Sequence, residues 1–236
     1  PERPVACDEK PGKISDMFKA LFKNDQAMTV VVSIILVYTS LNICGNLVLY
    51  FFRFDVGNEG AYSIFAAVAF AAQVLVMMVI PLLRKRFSKS QLFISGFIIQ
   101  IAGFAVILIM AFAKLYTPQS WYILCLPGIL IYLGYGMLNV IMTIFLSDSV
   151  DYGEVMNGTR EESVIFSMQT FTVKLASGVA VFLAGLVVDW IHLDTAAAVQ
   201  TQDTLDALRM WMTIPSVILL IVGIFVFKRF YKLDDT

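Results

Sequence analysis

Long apolar runs alternate with short charged segments along this chain. Six runs stand out, at residues 27–51, 61–83, 92–113, 122–147, 163–190 and 210–228. A bilayer core takes about 20 apolar residues as a helix. Backbone polar groups in lipid must be satisfied within the segment. Each run therefore predicts a transmembrane helix. No Asp or Glu falls inside a run, and Asp189 stands at the end of the fifth.

Ahead of the first run, "ISDMFKALFKNDQ" has apolar residues at 14, 17, 18, 21 and 22. That spacing fits a short amphipathic helix lying along a membrane surface, or a plain extension of the first span. The opening "PERPVACDEKPGK" is polar and Pro-rich, with none of the charged–apolar–small order of a signal peptide. It reads as a linker and predicts that the chain belongs to a longer polypeptide. The expected division is a linker over 1–26, a six-helix membrane domain over 27–230 and a tail over 231–236.

Composition supports the membrane reading. Of 236 residues, 59% are hydrophobic and only 15% charged, where a soluble domain carries about 25% charged. The net charge of −1 leaves no basic footprint for nucleic acid. Cys7, Cys44 and Cys125 lack the paired spacing of a metal site or a disulfide framework. His192 is the only histidine, which argues against His metal centres and Ser-His-Asp triads.

Charge also predicts orientation. Six spans put both termini on one side, which receives thirteen Lys and Arg; the other side receives Arg53, Lys114 and Arg209, and Lys174 lies between. The positive-inside rule makes the termini cytoplasmic. On that side the "NGT" sequon at 157–159 is idle.

Three spans carry polar stripes. In the fifth, Ser163, Ser167, Thr170, Lys174 and Ser177 fall on one narrow arc of a helix. The first has Thr39, Asn42, Asn46 and Tyr50; the fourth has Tyr132, Tyr135, Asn139 and Thr143. Together they predict a shared, water-accessible cavity, against the plainer reading of hydrogen bonds between helices. Lys174 falls near the middle of its span, about 20 Å from either end at 1.5 Å per residue. Snorkelling cannot carry its ammonium that far. A lysine there costs about 2.5–3.5 kcal/mol to insert and needs protein, water or a counter-charge. No run supplies a carboxylate, so Lys174 is either neutral or paired with residues outside this chain.

The stretch "SDSVDYGEVMNGTREES" at 147–163 predicts a cytoplasmic loop between the fourth and fifth spans. Thr159 can cap the fifth helix, with Glu162 reaching back in a capping box. Glu161 and Glu162 also suit the positive end of the helix dipole. Asp148 and Asp151 instead stand at the negative end of the fourth helix, so they need cations from Arg160, from the Arg84–Lys89 cluster or from elsewhere. Their spacing does not fit an EF-hand loop, because Val150 and Tyr152 occupy ligand positions. The cluster reads as a charge network able to form and break, as a gate requires.

"DSVDYGE", "GTREES" and "SMQTFTVK" resemble the signature of the glycoside–pentoside–hexuronide:cation symporters, the family of melibiose permease. The matching positions are Asp148, Asp151, Tyr152, Glu154, Arg160, Glu162, Ser163, Gln169, Thr170 and Lys174, and "LFKNDQ" before the first span is also similar. The resemblance implies an all-α membrane protein, six transmembrane helices forming the second half of a major facilitator fold. It implies uptake of a sugar or glycoside coupled to Na⁺ or H⁺ by alternating access, with no bound cofactor. Lys174 would then approach cation-binding carboxylates on a missing N-terminal six-helix half. Gln169, Thr170 and Val173 would line the sugar cavity, joined by Asn42, Asn46 and Asn139 of the polar stripes. Asp148, Asp151, Tyr152, Glu154, Arg160 and Glu162 would form the cytoplasmic gate. A lipid or lysolipid carrier of the same fold and a membrane-embedded enzyme are the alternatives. The enzyme lacks an acid–base pair at depth. A bacterial inner membrane is the expected location.

Overall fold

The computed structural model describes residues 24–157 and 162–233. The expected amphipathic helix before the first span, the Thr159 cap, Glu161 and Arg160 lie outside them. Six helices follow one another: α1 (Asp25–Tyr50), α2 (Ala61–Leu83), α3 (Lys89–Phe112), α4 (Cys125–Asn157), α5 (Glu162–Trp190) and α6 (Gln202–Phe230). All six are long and apolar enough to cross a membrane. The described residues contain no strand.

Polar side chains start these helices in three places. The Asn24 carboxamide oxygen accepts from Ala27 N at 2.9 Å. Ser88 and Gln91 form a reciprocal capping box at α3, each bond 3.1 Å. Thr201 accepts from Thr204 N at α6. Each satisfies an amide that the first helical turn leaves open.

α1 lies at the centre and packs against α4, α5 and α6; α3 packs on α4 and α6, and α2 on α4. α5 rests chiefly on α1. Water cannot drive helices together inside lipid, so close backbone approach and interhelical hydrogen bonds do the work. Ser40 Oγ donates to Ser216 O at 3.0 Å, and Ser216 Oγ donates back to Ser40 O at 2.8 Å, joining α1 to α6. Gly134 lets α4 touch α3, since a Cβ there would sit 2.5 Å from Gly96 O. Rings fill both ends of the bundle. Phe93 meets Phe227 at 4.4 Å between centroids, and Phe145 meets Tyr231 at 4.5 Å. At the opposite end Phe52 meets Phe65 at 5.0 Å. Tyr231 and Lys232 are tied back to the bundle, the latter by its N–H to Gln26 Oε1 at 2.8 Å.

Three helix ends differ from the expected spans. α1 continues past residue 51 as a π-helical turn, Phe51–Val56, closed by Gly57 in the left-handed region at φ 74°. α6 begins at Gln202 rather than 210. α4 runs to Asn157, so Asp148, Asp151, Tyr152 and Glu154 are helical and not in a loop. The correction has a local cause. Ser149 and Val150 are buried there, and Asn24 Nδ2 donates to Ser149 O at 2.7 Å. Tertiary contact thus extends the helix beyond its apolar run.

Candidate transport site

The buried face of α5 is Ile165, Met168, Thr172, Ala176, Ala180, Ala184 and Val187. Spacings of three and four keep these residues on one side, against α1. The polar stripe takes the opposite side: Ser163, Ser167, Thr170 and Lys174 are exposed, and Ser177 is half-buried. Gln169 and Val173 sit at the edge of the two faces, half-buried. Thr170 and Ser177 return their hydroxyls to the carbonyls of Phe166 and Val173 one turn back. Lys174 lies 12 residues from Glu162 and 16 from Trp190, about 18 and 24 Å by the helical rise. No hydrogen bond or ion pair engages it among the described residues.

The stripes of α1 and α4 meet each other. Asn139 Nδ2 donates to the Tyr38 hydroxyl at 2.6 Å, and the Tyr38 ring stands edge-on to Tyr135 at 5.5 Å. Tyr38 itself carried no weight in the sequence; it shares an arc with Asn42, four residues on. Asn42 Nδ2 bonds Tyr38 O, and Asn46 Nδ2 bonds Asn42 O, both at 2.7 Å. Each amide gives one N–H to its own helix, which leaves its oxygen and its second N–H available. No hydrogen bond among the described residues joins the polar face of α5 to this pair. Asn46 instead lines a groove of about 520 Å³ between α1 and α5, together with Tyr50 and Asp189.

At the end of the bundle that carries Lys89 and Lys228, Lys89 Nζ donates to Asp148 Oδ2 at 2.8 Å. Their side chains are 22% and 28% exposed. The cation sought for Asp148 therefore comes from the Arg84–Lys89 cluster. Lys89, Asp148, Asp151 and Tyr152 surround a hollow of about 370 Å³ that Leu233 also lines. Glu162 and Glu154 are exposed nearby in sequence, at the start of α5 and the last turn of α4.

The far end holds a site that the sequence did not single out. Arg209 reaches from α6 to Asp55 in the π-helical turn, with Nε–Oδ2 at 2.8 Å, and its Nη1 donates to Asp206 at 2.7 Å. The Tyr116 hydroxyl donates to Asp55 Oδ2 at 2.6 Å. Burial pushes the Tyr116 phenol up, and its hydrogen bond to Asp55 adds to the rise, so it stays a neutral donor. The available signal was an Arg set inside "ALRMWM" and an Asp behind "YFFRF".

The family model described as MFS/sugar transport protein matches residues 3–235. The chain belongs to this family. Relatives with transporter names include the following. An uncharacterized symporter of Bacillus subtilis is 26% identical over 94% of this chain and 47% of its own length. The raffinose carrier protein of Pediococcus pentosaceus is 24% identical over 90% of this chain and 33% of its own. The isoprimeverose transporter of Lactiplantibacillus pentosus is 25% identical, over 94% and 44%. The chain thus spans half or less of the length of these relatives. It is an integral membrane protein of a sugar-transporting family, and its helices are those of a major facilitator.

Proposed function

We propose that this chain is the C-terminal half of a secondary transporter that carries a sugar or glycoside by alternating access, coupled to Na⁺ or H⁺. The observation that carries the proposal is Lys174. It sits at mid-height on an exposed polar face, without a partner among the described residues. A charge at that depth needs a counter-charge or a wet cavity, and a facing six-helix half supplies both at the midplane. In that arrangement Lys174 approaches the coupling carboxylates of the other half. Gln169, Thr170 and Val173 line the sugar cavity, with Asn42, Asn46 and Asn139 presented from α1 and α4. The uneven distribution of Lys and Arg puts both ends of the segment in the cytoplasm, and a bacterial inner membrane fits the relatives.

The Lys89–Asp148 end is then the cytoplasmic gate, with Asp151, Tyr152, Glu154, Arg160 and Glu162 as its other members. A partly exposed ion pair suits a gate, because it is weak enough to break on each cycle. The test is counterflow in proteoliposomes holding the whole transporter, with labelled lactose, raffinose and xylose, in Na⁺ and at imposed pH gradients. Exchange of at least one sugar is expected. Exchange of a labelled lysolipid and of no sugar would replace this reading with a lipid carrier.

A further inference from the structure

The groove between α1 and α5 contains a carboxylate that neither the fold nor the gate uses. Asp189 stands one residue before the end of α5, exposed, and its carboxylate takes part in no ion pair or hydrogen bond among the described residues. Asn46 and Tyr50 face the same space of about 520 Å³ from α1. Asn46 gives one of its two N–H groups to Asn42 O. It can offer the groove its carbonyl oxygen and its second N–H. Asp189 offers only oxygens. Asp189 therefore calls for a ligand that donates hydrogen bonds, and Asn46 can accept one from the same ligand. Tyr50 adds an aromatic body and a hydroxyl.

The groove has a polar and a bare side. Gly185 lines it, and a Cβ there would meet nothing within 4 Å. A second groove shares no lining residue with it: Trp211, Pro215 and Leu183 enclose it over Ile43, and it is wholly apolar. Lipid suits the second; the first carries an exposed carboxylate at the end of α5. Val181, Phe182, Ala184, Leu186 and Val188 complete the lining of the first groove, and on the transporter reading it opens toward the transport pathway. Asp189 lies 15 residues beyond Lys174 on the same helix, about 22 Å at the helical rise. A disaccharide about 10 Å long cannot touch both, so the two are separate stations.

We propose that this groove is a vestibule subsite for sugar hydroxyls, in which Asp189 and the Asn46 carbonyl accept hydrogen bonds from substrate before it reaches the level of Lys174. The proposal rests on the transporter reading above and adds a second recognition station to it. Asp189 acts there as a specificity-determining residue for uptake.

The test uses the whole transporter in oriented proteoliposomes, with whichever of labelled lactose, raffinose and xylose the wild type carries. Asp189→Asn is expected to raise the KM for uptake from the Asp189 side about tenfold, the loss of one charge-assisted hydrogen bond, with the maximal rate within about twofold. Asp189→Glu should recover most of the affinity. Gly185→Leu projects into open space and should raise the KM for the larger sugars more than for xylose. An unchanged KM in Asp189→Asn overturns the vestibule, as does a shifted Na⁺ activation constant with sugar KM unmoved. If Asp189→Asn fails to reach the membrane, Gly185→Leu decides, and an unchanged KM for all sugars overturns the proposal. No sugar uptake by the wild type would instead overturn the transporter reading.

Discussion

Arg209 grips Asp55 across the far end of the bundle, and both side chains are only 3% exposed. The pair ties the π-helical turn after α1 to the third turn of α6, and Tyr116 adds the α3–α4 connection through its hydroxyl. Arg209→Met leaves the Asp55 carboxylate buried without its cation. Stability is expected to fall by about 3–5 kcal/mol. Asp55→Leu combined with Arg209→Met removes both charges and should recover most of that loss. Thermal unfolding of the purified protein in detergent reads both. A double variant no more stable than the single would show that the pair is not the source.

This clamp was hidden from the sequence for a physical reason. Apolar runs mark where lipid-compatible helix is obligatory, and they say little about where it stops. Asp55 and Arg209 both lie outside the runs 27–51 and 210–228, in turns that the helices add at their ends. The same cause made Asp148 to Glu154 read as loop. Asn24 holds the extra turns of α4 through Ser149 O, and that contact spans 125 residues of sequence. The six spans, the depth of Lys174 and the arc of the α5 stripe were legible, because they follow from composition and helical period alone. The link of Asn139 to Tyr38 was half legible: Asn139 lies on a polar stripe, Tyr38 does not, and only packing joins them.

Lys174 makes no described contact that a neutral residue would break. Lys174→Ala is therefore expected to insert and fold normally, with a melting temperature within about 2 °C of the parent if surface changes stay within about 0.5 kcal/mol. Cation-driven accumulation of sugar should be lost, while the protein still reaches the membrane. Accumulation ratios in energised vesicles measure this. Uphill uptake at the parental level would remove Lys174 from the coupling machinery.

The Lys89–Asp148 pair should bias the gate rather than hold the fold. With a quarter or so of each side chain exposed, a worth of about 0.5–1 kcal/mol is expected. That corresponds to a shift of roughly two- to fivefold between gate states. Asp148→Asn should raise cysteine labelling at Val155, which lines the hollow beside the pair, by that factor. Exchanging the charges, Lys89→Asp with Asp148→Lys, should return labelling toward the parent. Identical labelling in all three proteins would leave the pair with no part in gating.

The seam between α3 and α4 bears on the Lys89–Asp148 pair, because the two helices that meet there carry its two residues. A Cβ at Gly134 would lie 2.5 Å from Gly96 O and 2.6 Å from Gln100 N, which are backbone atoms that no rotamer change can move. Gly134→Ala must push the two helices apart, at a cost of about 1–3 kcal/mol. Gly45 on α1 meets nothing within 4 Å, so Gly45→Ala should gain about 0.5–1 kcal/mol from helix propensity. Thermal unfolding separates the two, and equal effects would contradict the packing argument. Lys89 stands at the first residue of α3 and Asp148 near the end of α4. Separating these helices lengthens their ion pair. Gly134→Ala should therefore also raise labelling at Val155 in the direction of Asp148→Asn, whereas Gly45→Ala should leave it unchanged.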